Sequence, residues 1–463
     1  MKLVNTSNNT IYVQDIDKHI YFNNQVYDIS SDELLKSNGL QQLILMGQLE
    51  VKEFGDSRIE RNLERLVSKM TKLRSVVKSE NQFADTAPPS IESKKQVVIK
   101  GHFLEGGGYA KCNRNLAIGL KACGIDVNID VVGGAKNELT PNEARMLASL
   151  RGSCGKNAIR IDSVVPTFSN ISSGRRSILF TTIEAGSVPQ QFVDVANSYH
   201  EVWVTSDFCK EVLQKYSVKR PIVVVPNSIN TGIYKPDGDE YAFRPALKDF
   251  VFVSVFGWSY RKGWDALLKA YLKAFSGKDD VSLLLVSKAQ GGSKVIKDDV
   301  SKYIKEYGTS NPPHIVRCSK SIPENQMPSL YRACDAFVLF SRGEGFGLPY
   351  CESSLCGLPV IATKCSGHTM FLNNDNSTLV DVDRYEKVRE GTMHVHYWDN
   401  QIFPSLKSDK FIDEAADAMR TAYKNYGSAV NKNEKLREYI MSNYSIGSVV
   451  KRVIDRLDTV WSD

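Results

Sequence analysis

The sequence predicts an α/β protein: two parallel-sheet domains in series, preceded by a small β-rich domain and one amphipathic helix. Three observations carry this expectation. From residue 96 to the end, strand-like and helix-like segments alternate, the pattern of parallel sheets with covering helices. Two glycine-rich loops each join a strand-like apolar run to a helix-like segment. A polar stretch, residues 80–95 with Pro88-Pro89, separates this region from what precedes it and reads as a linker.

The elements follow in order. Residues 1–56 alternate short β-like runs with turn residues (TIYVQDI, KHIYF, QVYDIS), then a short helix, SDELLKSNGLQQLILMG, and a strand, LEVKEF. They form a small β-rich domain without a constellation of reactive residues. Residues 57–79 read as one helix. Ser57 with Glu60 makes a capping box. Ile59, Leu63, Leu66, Met70, Leu73 and Val77 recur at heptad spacing, with Val67 and Val76 beside the seam. At about 1.5 Å per residue this helix is about 35 Å long, too short and too apolar on one face to stand alone. A coiled coil joining copies of the chain into a homo-oligomer is predicted, with packing on its own domain as the alternative. Two α/β blocks come next, 96–240 and 241–435. A closing segment, 436–463, ends the chain with a helix from Ser445 to Trp461.

Composition narrows the class. A chain of 463 residues has room for about three domains at roughly 150 residues each. With 42% hydrophobic, 24% charged and 10% aromatic residues, a disordered, collagen-like or disulfide-stapled chain is excluded. The nine cysteines include no CxxC pair. Cys351, Cys356 and Cys365 fall in apolar segments and read as reduced core thiols. His394 and His396 alternate in a strand-like segment, but no further ligands accompany them, so no metal site is expected. No apolar run approaches the 18 residues of a membrane span. The first residues lack the apolar core of a secretory leader, so a cytoplasmic protein is expected. The net charge is +6, which could signal nucleic acid. Seven basic residues against two acidic ones in helix 57–79 account for +5 of it. The remainder is nearly neutral, and nucleic acid is not indicated.

The first glycine loop follows strand VVIKGHF as Leu104-Glu105-Gly106-Gly107-Gly108-Tyr109, and a helix runs on to about Cys123, stopped by Gly124. Glycines at such a turn let backbone N–H groups approach a phosphate or sugar. A dinucleotide fingerprint fails here: Lys111 stands where its third glycine belongs, and no acidic residue ends the next strand, VNIDVV.

The second loop lies in ACDAFVLFSRGEGFGLPYCESSLCGLPVIAT. AFVLF is a buried strand. Ser341 to Leu348 forms a loop with Gly343, Gly345 and Gly347, and Pro349 suits the first turn of a helix carrying Glu352. The N–H groups near Leu348 and Tyr350 then point out of a helix N-terminus, a site suited to a diphosphate. Glu344 and Glu352 flank it. Acids beside a phosphate repel it, so their natural partners are hydroxyls, the diols of ribose and sugars.

Glu344-x7-Glu352 within EGFGLPYCE, followed by GLPVIAT, resembles the retaining glycosyltransferases of family four, over residues 96–463. The resemblance implies two Rossmann-like domains in the GT-B arrangement, the first on the acceptor side and the second on the donor side. It places Glu344 at the transferred sugar and Glu352 at the ribose of a nucleotide sugar, with Gly345, Phe346, Gly347 and Leu348 lining the donor. The segment from Thr181-Thr182-Ile183-Glu184 to Phe208 is similar to the back half of the family's first domain. VVVPNSINTGIYKPD (223–237) looks like its crossover, and FVSVFGWSYRKGWDALLKAY (252–271) looks like the strand, phosphate loop and helix that open the second domain. Arg261 and Lys262 would then neutralise the leaving diphosphate. Many members have arginine directly after the loop glycine; here Trp258 follows Gly257 and the two cations are adjacent.

The resemblance further implies that Ser287, Lys288, Ser321 and Ile322 meet the base, and that Glu184 with Gly106, Gly107, Gly108 and Tyr109 faces the acceptor. It implies transfer from a nucleotide sugar to an acceptor hydroxyl with retention, without a metal or other cofactor. The acceptor is left open: a glycan first, but also a lipid, protein, small molecule or modified DNA base. A nucleotide-sugar epimerase and a nucleotide-sugar-binding scaffold are the alternatives.

Overall fold

The computed structural model describes residues 95–462 except 134–138, 140, 153–157, 167–175, 244–245 and 389–397, and before residue 95 only five short strands. The predicted helix 57–79, the helix within 1–56, most of the linker and the pair His394/His396 lie outside the described residues. The chain divides into two compact units, Met1–Ser90 and Ile91–Asp463. In the first, β1 (Lys2–Asn5) is flanked antiparallel by β4 (Val26–Asp28) and β5 (Leu49–Glu53), and β2 (Ile11–Val13) pairs antiparallel with β3 (Lys18–Ile20).

The second unit holds two parallel sheets of six strands each. The first contains β6 (Gln96–Gly101), β7 (Asp126–Val131), β8 (Ile159–Ser163), β9 (Ser177–Thr181), β10 (Glu201–Val204) and β11 (Ile222–Val224), in the order β11-β10-β9-β8-β6-β7. Its helices are α1 (Gly108–Ala122), α2 (Pro141–Ser149), α3 (Gln190–Ser198) and α4 (Asp207–Lys215). Every residue of β9 and β10 is buried, as expected of parallel strands covered on both faces. Their near-continuous apolar sequence is the consequence.

The second sheet contains β12 (Phe250–Gly257), β13 (Val281–Lys288), β14 (His314–Cys318), β15 (Ala336–Leu339), β16 (Val360–Thr363) and β17 (Thr378–Val380), in the order β14-β13-β12-β15-β16-β17. Helices α5 (Trp264–Ala274), α6 (Ser293–Tyr307), α7 (Met327–Arg332) and α8 (Leu348–Leu355) connect them. The order reverses between β12 and β15, which pair directly. Loops leaving the carboxyl ends of two such strands face one crevice, the usual ligand position in open α/β sheets. In the first sheet the reversal falls at β6, the strand that feeds the first glycine loop.

Two further segments tie the domains together. The hairpin of β18 (Tyr385–Lys387) and β19 (Ile402–Pro404) leaves the second domain and lies on the first. Gly186 N–H donates to the Ile402 carbonyl at 2.8 Å, and Val388, Trp398 and Phe403 pack among Leu179, Ile183 and Phe192. After α9 (Asp409–Lys424) and α10 (Tyr426–Tyr444), the final helix α11 (Ile446–Ser462) returns to the first domain. Val449, Val450, Val453 and Leu457 enter the core formed by Val97, Ile99, Leu116 and Leu120. Gly119 on α1 allows this approach, since an added Cβ would stand 2.4 Å from Val450 Cγ2.

Candidate donor site

The loops after β12 and β15 meet as the topology requires. A 3-10 turn, Tyr260–Lys262, follows β12 and ends at Gly263, whose φ of +64° and close approach to the Phe340 carbonyl require glycine. Lys262 Nζ donates to Glu344 Oε1 at 2.6 Å. Arg261 Nη1 stands 3.6 Å from Glu344 Oε2, and its Nη2 stands 3.0 Å from Glu184 Oε1 in the first domain. Glu184 Oε2 accepts from the Trp398 indole at 2.9 Å. Two cations and two carboxylates from both domains therefore share one cluster, with Glu344 buried and the other three half-buried.

The protonation states follow from that clustering. Burial alone would raise the Glu344 carboxyl, but Lys262 and then Arg261 outweigh it and hold it down at about 2. Burial lowers the Lys262 ammonium from its ordinary value, Arg261 alongside adds to this, and Glu344 and Glu184 only partly offset both. Arg342 locks the turn that carries both cations. Buried itself, it binds Asp265 with both guanidinium nitrogens at 2.7 Å, donates to the Tyr260 carbonyl at 2.7 Å and lies 3.7 Å over the Tyr260 ring.

Gly347, with φ +99°, turns the chain into α8, and Pro349 occupies its first turn. Of the amides expected to point outward there, Tyr350 N–H is instead bonded to the Gly347 carbonyl at 3.1 Å and Pro349 has none, so Leu348 supplies the anion-suited amide of that turn. Its opposite number is α1, capped by Gly107 without a side-chain hydrogen bond. A Cβ on Gly108 would sit 3.5 Å from Leu348 Cδ1, so the two helix N-termini face each other across the cleft. Gly106, Gly107 and Gly108 are exposed there, while the Tyr109 hydroxyl is tied to the end of β9, accepting from Thr182 N–H at 3.2 Å.

Glu352, one turn into α8, is buried. Its Oε2 accepts from the Tyr331 hydroxyl at 3.1 Å and its Oε1 from Lys111 Nζ at 3.0 Å. Lys288 donates to Ser321 Oγ at 2.8 Å, bringing together two residues expected at the base. Ser287 Oγ instead donates to the Phe256 carbonyl within the sheet at 2.7 Å, and Ile322 packs on the domain core. Phe346 turns its ring into the core between Phe371 and Tyr444, leaving only its backbone to the loop. Trp258, the departure noted after Gly257, is also a core residue: it stacks between Phe256 and Trp264, with its indole donating to Asp299 Oδ2 at 2.8 Å. Cys351, Cys356 and Cys365 are buried thiols.

Several residues at the site had no local signal. Trp398 acts on Glu184 from 214 residues away, and Lys111 reaches Glu352 across 241. Thr182 and Thr205 were equally silent; Thr205 Oγ1 donates to the Gly345 carbonyl at 2.9 Å.

Residues 247–393 match the family described as glycosyl transferases group 1. The second domain thus carries the predicted resemblance. The chain is 31% identical to a D-inositol 3-phosphate glycosyltransferase from Segniliparus rotundus over 198 residues, 40% of this chain and 43% of that protein. It spans less than half the length of the curated relatives it first matches. The fold matches a sucrose-phosphate synthase from Thermosynechococcus elongatus with a TM-score of 0.57 at 15% identity, covering 80% of this chain and 100% of that one. HepE from Anabaena, in complex with UDP-glucose, matches with a TM-score of 0.54 at 14% identity, covering 79% of this chain and 99% of that one. The GT-B fold is therefore shared.

Proposed function

We propose that the chain transfers a sugar from a nucleotide-sugar donor to an acceptor hydroxyl, with retention and without a metal. The observation that carries this reading is the cluster of Arg261, Lys262 and Glu344 beside the N-terminus of α8, at the crevice between the domains. The acceptor oxygen attacks the anomeric carbon as the bond to the diphosphate breaks. Arg261, Lys262 and the Leu348 N–H take up the charge that develops on the leaving diphosphate. A leaving phosphate oxygen receives the acceptor's proton, so no protein nucleophile is required. Glu344 stays ionised and can only accept hydrogen bonds, which suits it to hold hydroxyls of the transferred sugar. Glu352 is suited to the ribose in the same way. The relatives and neighbours named above, sugar transferases and a UDP-glucose complex, support this donor class. Closure of the two domains excludes water.

The test is product analysis after incubating the purified protein with UDP-glucose and GDP-mannose, with and without acceptor sugars. Lys262→Ala and Glu352→Ala are each expected to lower turnover by about 10²–10³-fold. Turnover or hydrolysis that survives both changes would refute the assignment. The oligomer expected through residues 57–79 belongs to the same reading. Light scattering that reports a persistent 51.8 kDa monomer at high protein concentration would refute it.

A further inference from the structure

Lys111 lies on α1 of the first domain, yet its ammonium belongs to the nucleotide end of the second. It is 3.0 Å from Glu352 Oε1, 3.7 Å from Glu324 Oε1 and 3.4 Å from the Tyr234 hydroxyl. Arg114, three residues on, secures Glu324 at 2.9 Å while bracing the first glycine loop through the Phe103 and Glu105 carbonyls. Burial works against the Lys111 charge, but Glu352 and Glu324 outweigh it and raise its affinity for a proton.

The Glu352 carboxylate has two occupied sides. One is held by Tyr331, a fully buried residue of its own domain that has nowhere to move. The other is held by Lys111, which arrives from the opposite domain. Glu352 is only 4% exposed, so a diol can reach it only by taking a place already filled. Lys111 is the exchangeable partner, because it is a flexible chain reaching over from the other domain and Glu324, 3.7 Å away, keeps its charge paired when it swings off Glu352. A buried carboxylate without a partner is costly, which explains why a resident cation is present at all.

We propose that Lys111 is a built-in surrogate for the donor's ribose: it occupies Glu352 in the free protein, and the ribose hydroxyls displace it when the nucleotide binds. This rests on the reading of Glu352 as the ribose acceptor. Donor affinity is then set partly by a first-domain residue that need not touch the nucleotide.

Calorimetric titration of the full chain with UDP, GDP and inorganic pyrophosphate tests this. Lys111→Met removes the competitor and is expected to tighten the nucleoside diphosphate that wild type binds by about tenfold. Pyrophosphate, which has no ribose, changes by less than about twofold. Lys111→Gln, closer in shape, should move both in the same directions and guards against misfolding of one variant. Weaker or unchanged nucleotide binding in both variants overturns the proposal, as does equal tightening of pyrophosphate. Glu352→Gln separates the two levels. If it leaves the advantage of the nucleotide over pyrophosphate intact, or if wild type binds neither nucleotide, the ribose reading itself fails.

Discussion

Glu344 and its two cations behave as a unit. Replacing Glu344 by Gln leaves the largely buried Lys262 without its closest counter-ion, while Arg261 keeps Glu184 at 3.0 Å, and losses of up to about 3–5 kcal/mol accompany such changes. The effect depends on pH with a definite sign. The carboxyl is held at about 2 when folded, against an ordinary 4.5. Its contribution is fully present above pH 4.5 and disappears as pH falls through about 2. Urea midpoints of wild type and Glu344→Gln should therefore differ most near neutrality and converge towards pH 2. Lys262 titrates below its ordinary range, so nucleotide affinity should fall on an alkaline limb below about pH 10.4. Lys262→Arg should move that limb upward, because a guanidinium keeps its proton. The spacing of Glu344 and Glu352 was legible in the sequence, because one strand-loop-helix turn carries both; Arg261 and Lys262, on a separate loop, entered only through the family resemblance. The partners that set their charge states were not legible.

At the scale of elements, the loop Ser341–Leu348 shows what local pattern conveys and what it hides. Its glycines read as backbone exposure to a phosphate. Only Gly347 needs its glycine for a positive φ. Gly343 and Gly345 are required because the first domain presses on them: an added Cβ would stand 1.8 Å from the Glu184 carbonyl oxygen and 1.4 Å from Thr182 Oγ1. Gly345→Ala is expected to cost about 1–3 kcal/mol through overpacking and to cut transfer more than about tenfold by holding the domains apart. Adding Thr182→Gly should restore part of both. A Gly345→Ala protein with unchanged melting temperature and turnover would show that the contact is not needed. The buried strand AFVLF was readable from its apolar run. The order that sets β12 beside β15 was not, since parallel strands pair through crossovers whose partners no local pattern names.

For the whole molecule, the decisive feature is that the chain crosses between the domains more than once. The crossover and the return run side by side, with Ile229 N–H donating to the Tyr444 carbonyl at 2.8 Å. Beyond that point α11 completes the first-domain core. Burial of each valine or leucine contributes about 1.5–3 kcal/mol before the entropy of ordering the helix is subtracted, a gross gain comparable with the roughly 5–15 kcal/mol net stability of a domain. Ending the chain at Tyr444 is expected to strip hydrogen-exchange protection from β6 and α1 while β12 and β13 keep theirs. Equal protection in both sheets would contradict this.

By itself the sequence determined the α/β class, the two glycine loops and the pair of acids, Glu344 and Glu352, around the second. These depend on periodicity, helix N-termini and residue chemistry, all of which act within a few residues. The tertiary structure decided which charges neutralise one another, why particular glycines are obligatory, and that Lys111 and Trp398 belong to the site. Those facts depend on two sheets closing over one crevice, where contacts from 21 to 241 residues apart in sequence set the burial and charge of the groups.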